Sequence, residues 1–175
     1  HHAVLETCKY LEGLGYEITY LNVNEDGLIN LEELESSIRE DTILVSIMSA
    51  NNEIGTIEPI KEIGEICKKH NVLFHTDAVQ AYGNMKIDVK EMNIDLLSTS
   101  AHKLHGPKGI GFLYVRKGLM ISPLIHGGMQ EKGKRAGTTN APLIMGFKKA
   151  VELKFENMDK NNEYVTNLRN YLMNR

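Results

Sequence analysis

Cysteine is scarce in this chain of 175 residues. Cys8 and Cys67 are the two present, too few and too far apart for a disulfide framework or a zinc knuckle, and they suit a reducing compartment. Long apolar runs are missing as well: no stretch of eighteen apolar residues occurs, so no helical membrane span is expected. The opening His-His-Ala leads directly into helix-like sequence with no signal-peptide pattern, which makes the cytoplasm the expected compartment. Charge of one sign is also lacking. The formal net charge is −3, which leaves no electrostatic footprint for nucleic acid or for an acidic substrate, so neither nucleic acid nor membrane is expected as a partner. Repeats and low-complexity segments are absent, and the length suits one ordinary domain able to cover most of a sheet's two faces.

Alternating helical and strand patterns fill the chain. Val4, Leu5, Cys8, Leu11 and Leu14 recur at helical spacing, closed by Gly13 and Gly15. Residues 16–23 alternate as a strand does, and Asp26-Gly27 supplies a turn. Asn30 followed by Glu33 predicts an N-cap with a glutamate reaching back, opening a helix over 31–39. Residues 42–48 form a nearly continuous apolar run, as a strand buried on both faces should. Pro59 opens a helix over 60–70 with Ile60, Ile63, Ile66 and Cys67 on one face, which makes Cys67 a core residue. An apolar strand over 72–76 follows, and then another from Ile94 towards Ser100. The loop between that strand and Gly111-Phe112-Leu113-Tyr114-Val115 is too short for a parallel crossover, so the last two strands should pair antiparallel. Helical patterns return from Ala141 to about Met158 and again over 164–173.

Two strand ends carry chemistry. Ligands of open α/β sheets bind outside the carboxyl ends of the strands. The 72–76 strand ends on Asp77, and the strand leading to Ser98-Thr99-Ser100 is followed by Ala101-His102-Lys103. An aspartate and a lysine on neighbouring strand ends, with Ser100 and His102 beside them, are the parts of a pyridoxal 5'-phosphate site: the amine forms a Schiff base, and the carboxylate keeps the ring nitrogen protonated. His75 with Asp77, and His102 with His105, could pass for metal pairs, but no third or fourth ligand stands at sensible spacing and no metal is assigned. The glycines from Gly106 to Gly111 precede a strand rather than a helix and lack the Lys-Ser/Thr ending of a nucleotide loop.

Six runs in order carry a family resemblance. They are His1-His2-Ala3-Val4-Leu5-Glu6, the stretch Ile47-Met48-Ser49-Ala50-Asn51-Asn52-Glu53-Ile54-Gly55-Thr56, then His75-Thr76-Asp77-Ala78-Val79-Gln80, the segment from Ser98 through Lys103 to Gly109, His126-Gly127-Gly128-Met129-Gln130-Glu131, and Arg135-Ala136-Gly137-Thr138. Together they resemble the pyridoxal-phosphate cysteine desulfurases that supply sulfur for iron–sulfur clusters, from His1 to at least Ala150. The resemblance implies an α/β fold: a mostly parallel sheet sandwiched by helices with one antiparallel strand, the large domain of fold-type I pyridoxal enzymes. Residues 1–157 would be part of that domain, and residues 158–175 a helix leading towards a small domain.

The resemblance also implies roles. Lys103 would bind the cofactor covalently and Asp77 would hold its ring nitrogen. Asn52 and Gln80 would contact the ring oxygen, His1 would stack on the ring and shuttle protons, and Ser100, His102 and Thr138 would hold the phosphate. Thr138 would do so in the neighbouring subunit of a homodimer. Taken without the resemblance, paired asparagines such as Asn51-Asn52 at a strand end are turn formers, and residues 126–140 are a solvated loop. Met129 departs from the family, many members of which have a third glycine there. The implied reaction takes L-cysteine to L-alanine and passes sulfur, as a persulfide, to an iron–sulfur scaffold or another sulfur-acceptor protein. Alternatives are a selenocysteine lyase, another class V aminotransferase relative, or a non-catalytic cofactor-binding or dimerisation module.

Overall fold

The computed structural model describes residues 1–175, which divide into two units, His1–Thr42 and Ile43–Arg175. In the first unit, α1 (His2–Gly13) and α2 (Leu31–Ser37) flank an irregular stretch. Asn30 caps α2, its Oδ1 accepting from the amides of Glu32 and Glu33 at 2.8 and 3.0 Å. Such a cap contributes about 1 kcal/mol. Glu33 does not reach back to the cap, however. Its carboxylate accepts instead from the side-chain amide of Asn22 at 3.2 Å and from the Asn22 backbone at 3.4 Å.

The strand expected over residues 16–23 is not formed. Only Val23 makes a bridge, to Ile29, around the Asp26-Gly27 turn, where the Gly27 amide donates to the Asn24 carbonyl at 2.9 Å. Alternation prepares a segment for a ladder, but without a partner strand the backbone groups turn to other acceptors.

The second unit is built on one four-stranded sheet of order β1-β2-β3-β4: β1 (Leu44–Met48), β2 (Leu73–Asp77), β3 (Leu96–Ser100) and β4 (Gly111–Val115). The first two pairings are parallel and the last antiparallel, as the loop length between β3 and β4 requires. α3 (Ile60–Lys69) starts after Pro59 and packs against β2, burying Ile60, Ile63 and Cys67. Alternation sets the two faces of the sheet. Phe74, Thr76, Leu97 and Thr99 are buried, whereas His75, Asp77, Ser98 and Ser100 are half-buried.

β1 corrects an expectation. Its apolar run reads as buried on both faces, yet Ser46 is exposed and Leu44 is 43% exposed, because β1 is the edge strand and only one of its faces is covered.

At the entry end of the sheet, Asp95 joins three strands. Its Oδ2 accepts from the Phe74 amide at 2.9 Å, its Oδ1 accepts from Arg116, and the Arg116 amide donates to its carbonyl at 2.8 Å. A hydrogen bond to a charged group contributes about 1.5–3 kcal/mol, so Asp95 fixes the register that carries through to the far ends of β2 and β3.

The chain closes with α4 (Ala141–Glu156) and α5 (Met158–Met173), broken at Asn157; the Asn162 side-chain Nδ2 donates to the Asn84 carbonyl at 2.8 Å and ties α5 back. Between β4 and α4, residues 126–140 are largely irregular. Met129 has φ −87°, so its place in the loop needs no glycine; positive φ angles occur in this loop at Gly127, Gly133 and Gly137 and, among residues other than glycine, at Glu131 and Lys132. No helix is long and apolar enough to cross a membrane.

Candidate functional site

The site is built where β1, β2 and β3 end. Asp77 is the last residue of β2, and its position is set by main-chain bonds: the Ser49 amide donates to its carbonyl at 2.9 Å, and the Ala78 amide donates to the Ser98 carbonyl at 2.9 Å. Its side chain folds over its own turn, with Oδ1 accepting from the Val79 amide at 3.0 Å. This leaves the second carboxylate oxygen available to a ligand. Gln80, three residues on, is half-buried in the same turn, and its carbonyl accepts from the Asn84 side chain at 2.8 Å.

One strand over, β3 runs into a 3-10 turn, Ala101–Leu104. Ala101 and Leu104 are its inward residues, buried with Phe147 and Ala150 of α4, while Tyr82, Ile110 and Val151 pack around them. Burying a leucine contributes about 1.5–3 kcal/mol, so the two apolar positions anchor the turn. His102 and Lys103, the residues between them, are exposed. The turn is closed by the Ala101 amide donating to the Ile110 carbonyl at 3.0 Å and the Gly106 amide donating to the Ala101 carbonyl at 2.9 Å, with His105 in the left-handed region at φ 61°. Ser100 Oγ and His102 Nδ1 lie 2.7 Å apart, so a hydroxyl and an imidazole are held together beside the amine.

β2 and β3 are parallel neighbours, with Asp77 opposite Ser98, so the Asp77 and Lys103 segments leave adjacent strands about 4.8 Å apart. The structure therefore gathers Asp77, Gln80, Ser100, His102 and Lys103 on two adjacent strand ends, and Asn52 follows the end of the third. Asn51 takes the turn-forming role there, its Oδ1 accepting from the amides of Glu53 and Ile54 at 2.9 and 3.0 Å, while Asn52 is exposed. Thr138 is exposed in the 126–140 loop. His1 lies in the first unit, where its Nδ1 caps α1 by accepting from the Ala3 amide at 3.1 Å.

One arrangement escaped the sequence reading. On the half-open face of the sheet, Ser46 Oγ lies 2.7 Å from His75 Nδ1, and His75 Nε2 lies 2.8 Å from Ser98 Oγ. Burial holds the His75 pKa below its ordinary value, opposed by the nearby Asp77 carboxylate. The signal was present as Ser, His and Ser at alternate positions of three strands, but which rows face one another depends on register, which no single strand reveals.

The donor set fits pyridoxal phosphate. An exposed primary amine, a carboxylate with one oxygen uncommitted and a paired hydroxyl and imidazole supply a covalent anchor, a counter-charge for a ring nitrogen and hydrogen-bonding partners for a phosphate.

The whole chain, residues 1–175, matches the sequence profile of the class-V aminotransferases. It is 59% identical over 173 residues to a cysteine desulfurase IscS of Clostridium botulinum, covering 99% of this chain and 44% of that protein. Among solved structures, a NifS-like protein superposes with a TM-score of 0.96 at 48% identity, over 99% of this chain and 48% of that one. A structure described as SspA in complex with cysteine superposes with a TM-score of 0.85 at 50% identity, over 87% of this chain and 44% of that one. The chain thus spans less than half the length of these relatives. With the strand order and a profile match from the first residue to the last in agreement, the chain belongs to the class-V aminotransferase family.

Proposed function

We propose that the protein to which this chain belongs is a cysteine desulfurase, which converts L-cysteine to L-alanine with pyridoxal phosphate and passes the sulfur as a persulfide to an acceptor protein for iron–sulfur cluster assembly. The observation that carries this reading is the placing of Asp77 and Lys103 on adjacent parallel strand ends, with the bonded Ser100–His102 pair beside the lysine. Cysteine as the substrate is supported by the cysteine-bound neighbour of 50% identity. Both cysteines of the chain are free thiols, which suits a reducing compartment such as the cytoplasm.

Each residue then has a task. Pyridoxal phosphate, when bound, supplies an electron sink that weakens the bonds to the substrate's Cα. Lys103 would hold the cofactor through its Nζ, and its amine would also serve as a base beside the substrate. Asp77 offers its uncommitted oxygen to a protonated ring nitrogen, and the opposite charge keeps that proton in place. Ser100 and His102 donate to the phosphate in bonds strengthened by its charge. Asn52 and Gln80 would hold the ring through its oxygen, and the family resemblance gives His1 a ring-contacting role. Thr138, exposed in a polar loop, contributes to the phosphate site of a second copy, so the working form is a homodimer with an isologous interface.

The sulfur-accepting thiolate must come from another segment of the protein. Cys67 is buried, with burial and the Asp95 charge pushing its thiol up to about 12, and burial and Glu12 also raise Cys8.

The test is spectroscopic. Adding pyridoxal phosphate to the chain should produce a visible Schiff-base band that borohydride traps on Lys103, and Lys103→Ala should abolish both. An adduct that persists on another lysine overturns the assignment.

A further inference from the structure

The row Ser46–His75–Ser98 spans three strands directly beneath the site, and no role proposed above uses it. Ser46 stands opposite His75 in the β1–β2 register, and Ser98 stands opposite Asp77 in the β2–β3 register. One imidazole therefore bridges a direct neighbour on one side and a diagonal neighbour on the other, at 2.7 and 2.8 Å. Both ring nitrogens are engaged. A neutral imidazole satisfies this geometry with one N–H donated to one serine and one lone pair accepting from the other. His75 and Asp77 are two residues apart on β2, on the same face and roughly 6.6 Å apart along the strand.

We propose that His75, held between Ser46 and Ser98, is a positioning residue for the cofactor: a clamp that fixes the end of β2 between its neighbours and so aims the Asp77 carboxylate. The inference rests on the cofactor reading given above and deepens it.

Two physical consequences support the role. First, the clamp ties side chain to side chain across β1, β2 and β3 one turn of the pleat below the site, where lateral play in β2 would move Asp77 directly. An ångström of misplacement at a reacting centre can cost on the order of a hundredfold in rate. Second, Asp77 is the charged group that acts on His75, and burial disfavours the imidazolium despite that carboxylate. A cation at position 75 would draw the Asp77 charge back towards the sheet, whereas a neutral ring leaves it directed at a ring nitrogen. Serine and histidine meet both demands, since they supply directional bonds without charge.

The experiment compares the chain with His75→Phe, which keeps the ring volume and loses both bonds, and with His75→Gln, which keeps a donor and an acceptor. Each is titrated with pyridoxal phosphate through the visible band, at a temperature where circular dichroism shows it folded, and the pH dependence of the band is recorded. We expect His75→Phe to weaken cofactor binding about tenfold, below the hundredfold of a full ångström displacement, and to move the pH midpoint of the band by more than about half a unit, as an altered Asp77 environment requires. His75→Gln should recover most of both. A His75→Phe chain that binds within about twofold of the parent with an unmoved midpoint overturns the proposal, as does a His75→Gln chain no better than His75→Phe. If His75→Phe does not fold, the double variant Ser46→Ala, Ser98→Ala replaces it under the same criteria.

A parent chain that shows no band at all would refute the cofactor reading rather than the clamp. The clamp is then decided by ¹⁵N shifts of the His75 ring in the free chain. A single neutral tautomer down to about pH 5.5 supports it, and titration near the ordinary value of about 6.5 overturns it.

Discussion

Replacing Gly111 by alanine tests whether the β3–β4 rung carries the lysine turn. Gly111 begins β4 opposite Ser100, the last residue of β3. A Cβ there would lie 2.3 Å from the Thr99 carbonyl oxygen and 3.4 Å from its carbon. Both are backbone atoms, so no side chain can swing aside. Relief requires the two strands to part by about 1 Å, and such overpacking costs about 1–3 kcal/mol. The parting also strains the bond from the Ala101 amide to the Ile110 carbonyl that closes the Lys103 turn. With about 1 kcal/mol for each of one or two main-chain bonds, the total is about 2–5 kcal/mol. A chain of this length loses about 2–4 °C in melting temperature per kcal/mol, giving a drop of about 4–20 °C. Thermal unfolding followed by circular dichroism measures it. Gly118→Ala is the control: Gly118 has φ +91° with nothing near its would-be Cβ, so only the conformational cost of about 1–2 kcal/mol applies. A Gly111→Ala melting temperature within about 2 °C of the parent, or a drop no larger than that of Gly118→Ala, would refute the reasoning.

Asp77→Asn should leave the visible cofactor band but lose the spectral change on adding L-cysteine, because the task proposed for the carboxylate is to stabilise charge on the ring nitrogen; an unchanged response counts against that role. Thr99 is buried and its hydroxyl has no hydrogen-bond partner, so Thr99→Val should raise stability by about 1 kcal/mol, read as a higher midpoint in urea, and a lower midpoint would contradict this. Cys67, with its thiol near 12 and its side chain buried, stays protonated at neutral pH: thiol reagents should leave it unmodified in the folded chain, and a catalytically formed persulfide mapped to Cys67 would overturn the view that the sulfur carrier lies elsewhere.

Local pattern determined much of this protein. The helix caps at Asn30 and Pro59, the strands ending at Asp77 and Ser100, and the antiparallel return of β4 could be read from spacing and loop length, because each depends on a few consecutive residues. The positions of Asp77 at the end of β2 and of Lys103 just past β3 were legible for the same reason, since each follows a short apolar run. Tertiary structure decided the rest. Residues 16–23 have the strand alternation but no neighbour to pair with, β1 has the apolar run of a central strand but lies at an edge, and Glu33 turns to Asn22 instead of its own cap. Above all, the bridge from Ser46 through His75 to Ser98 joins residues 29 and 23 positions apart. A strand's own sequence shows which residues share its face, but only the pairing of strands sets which of them meet.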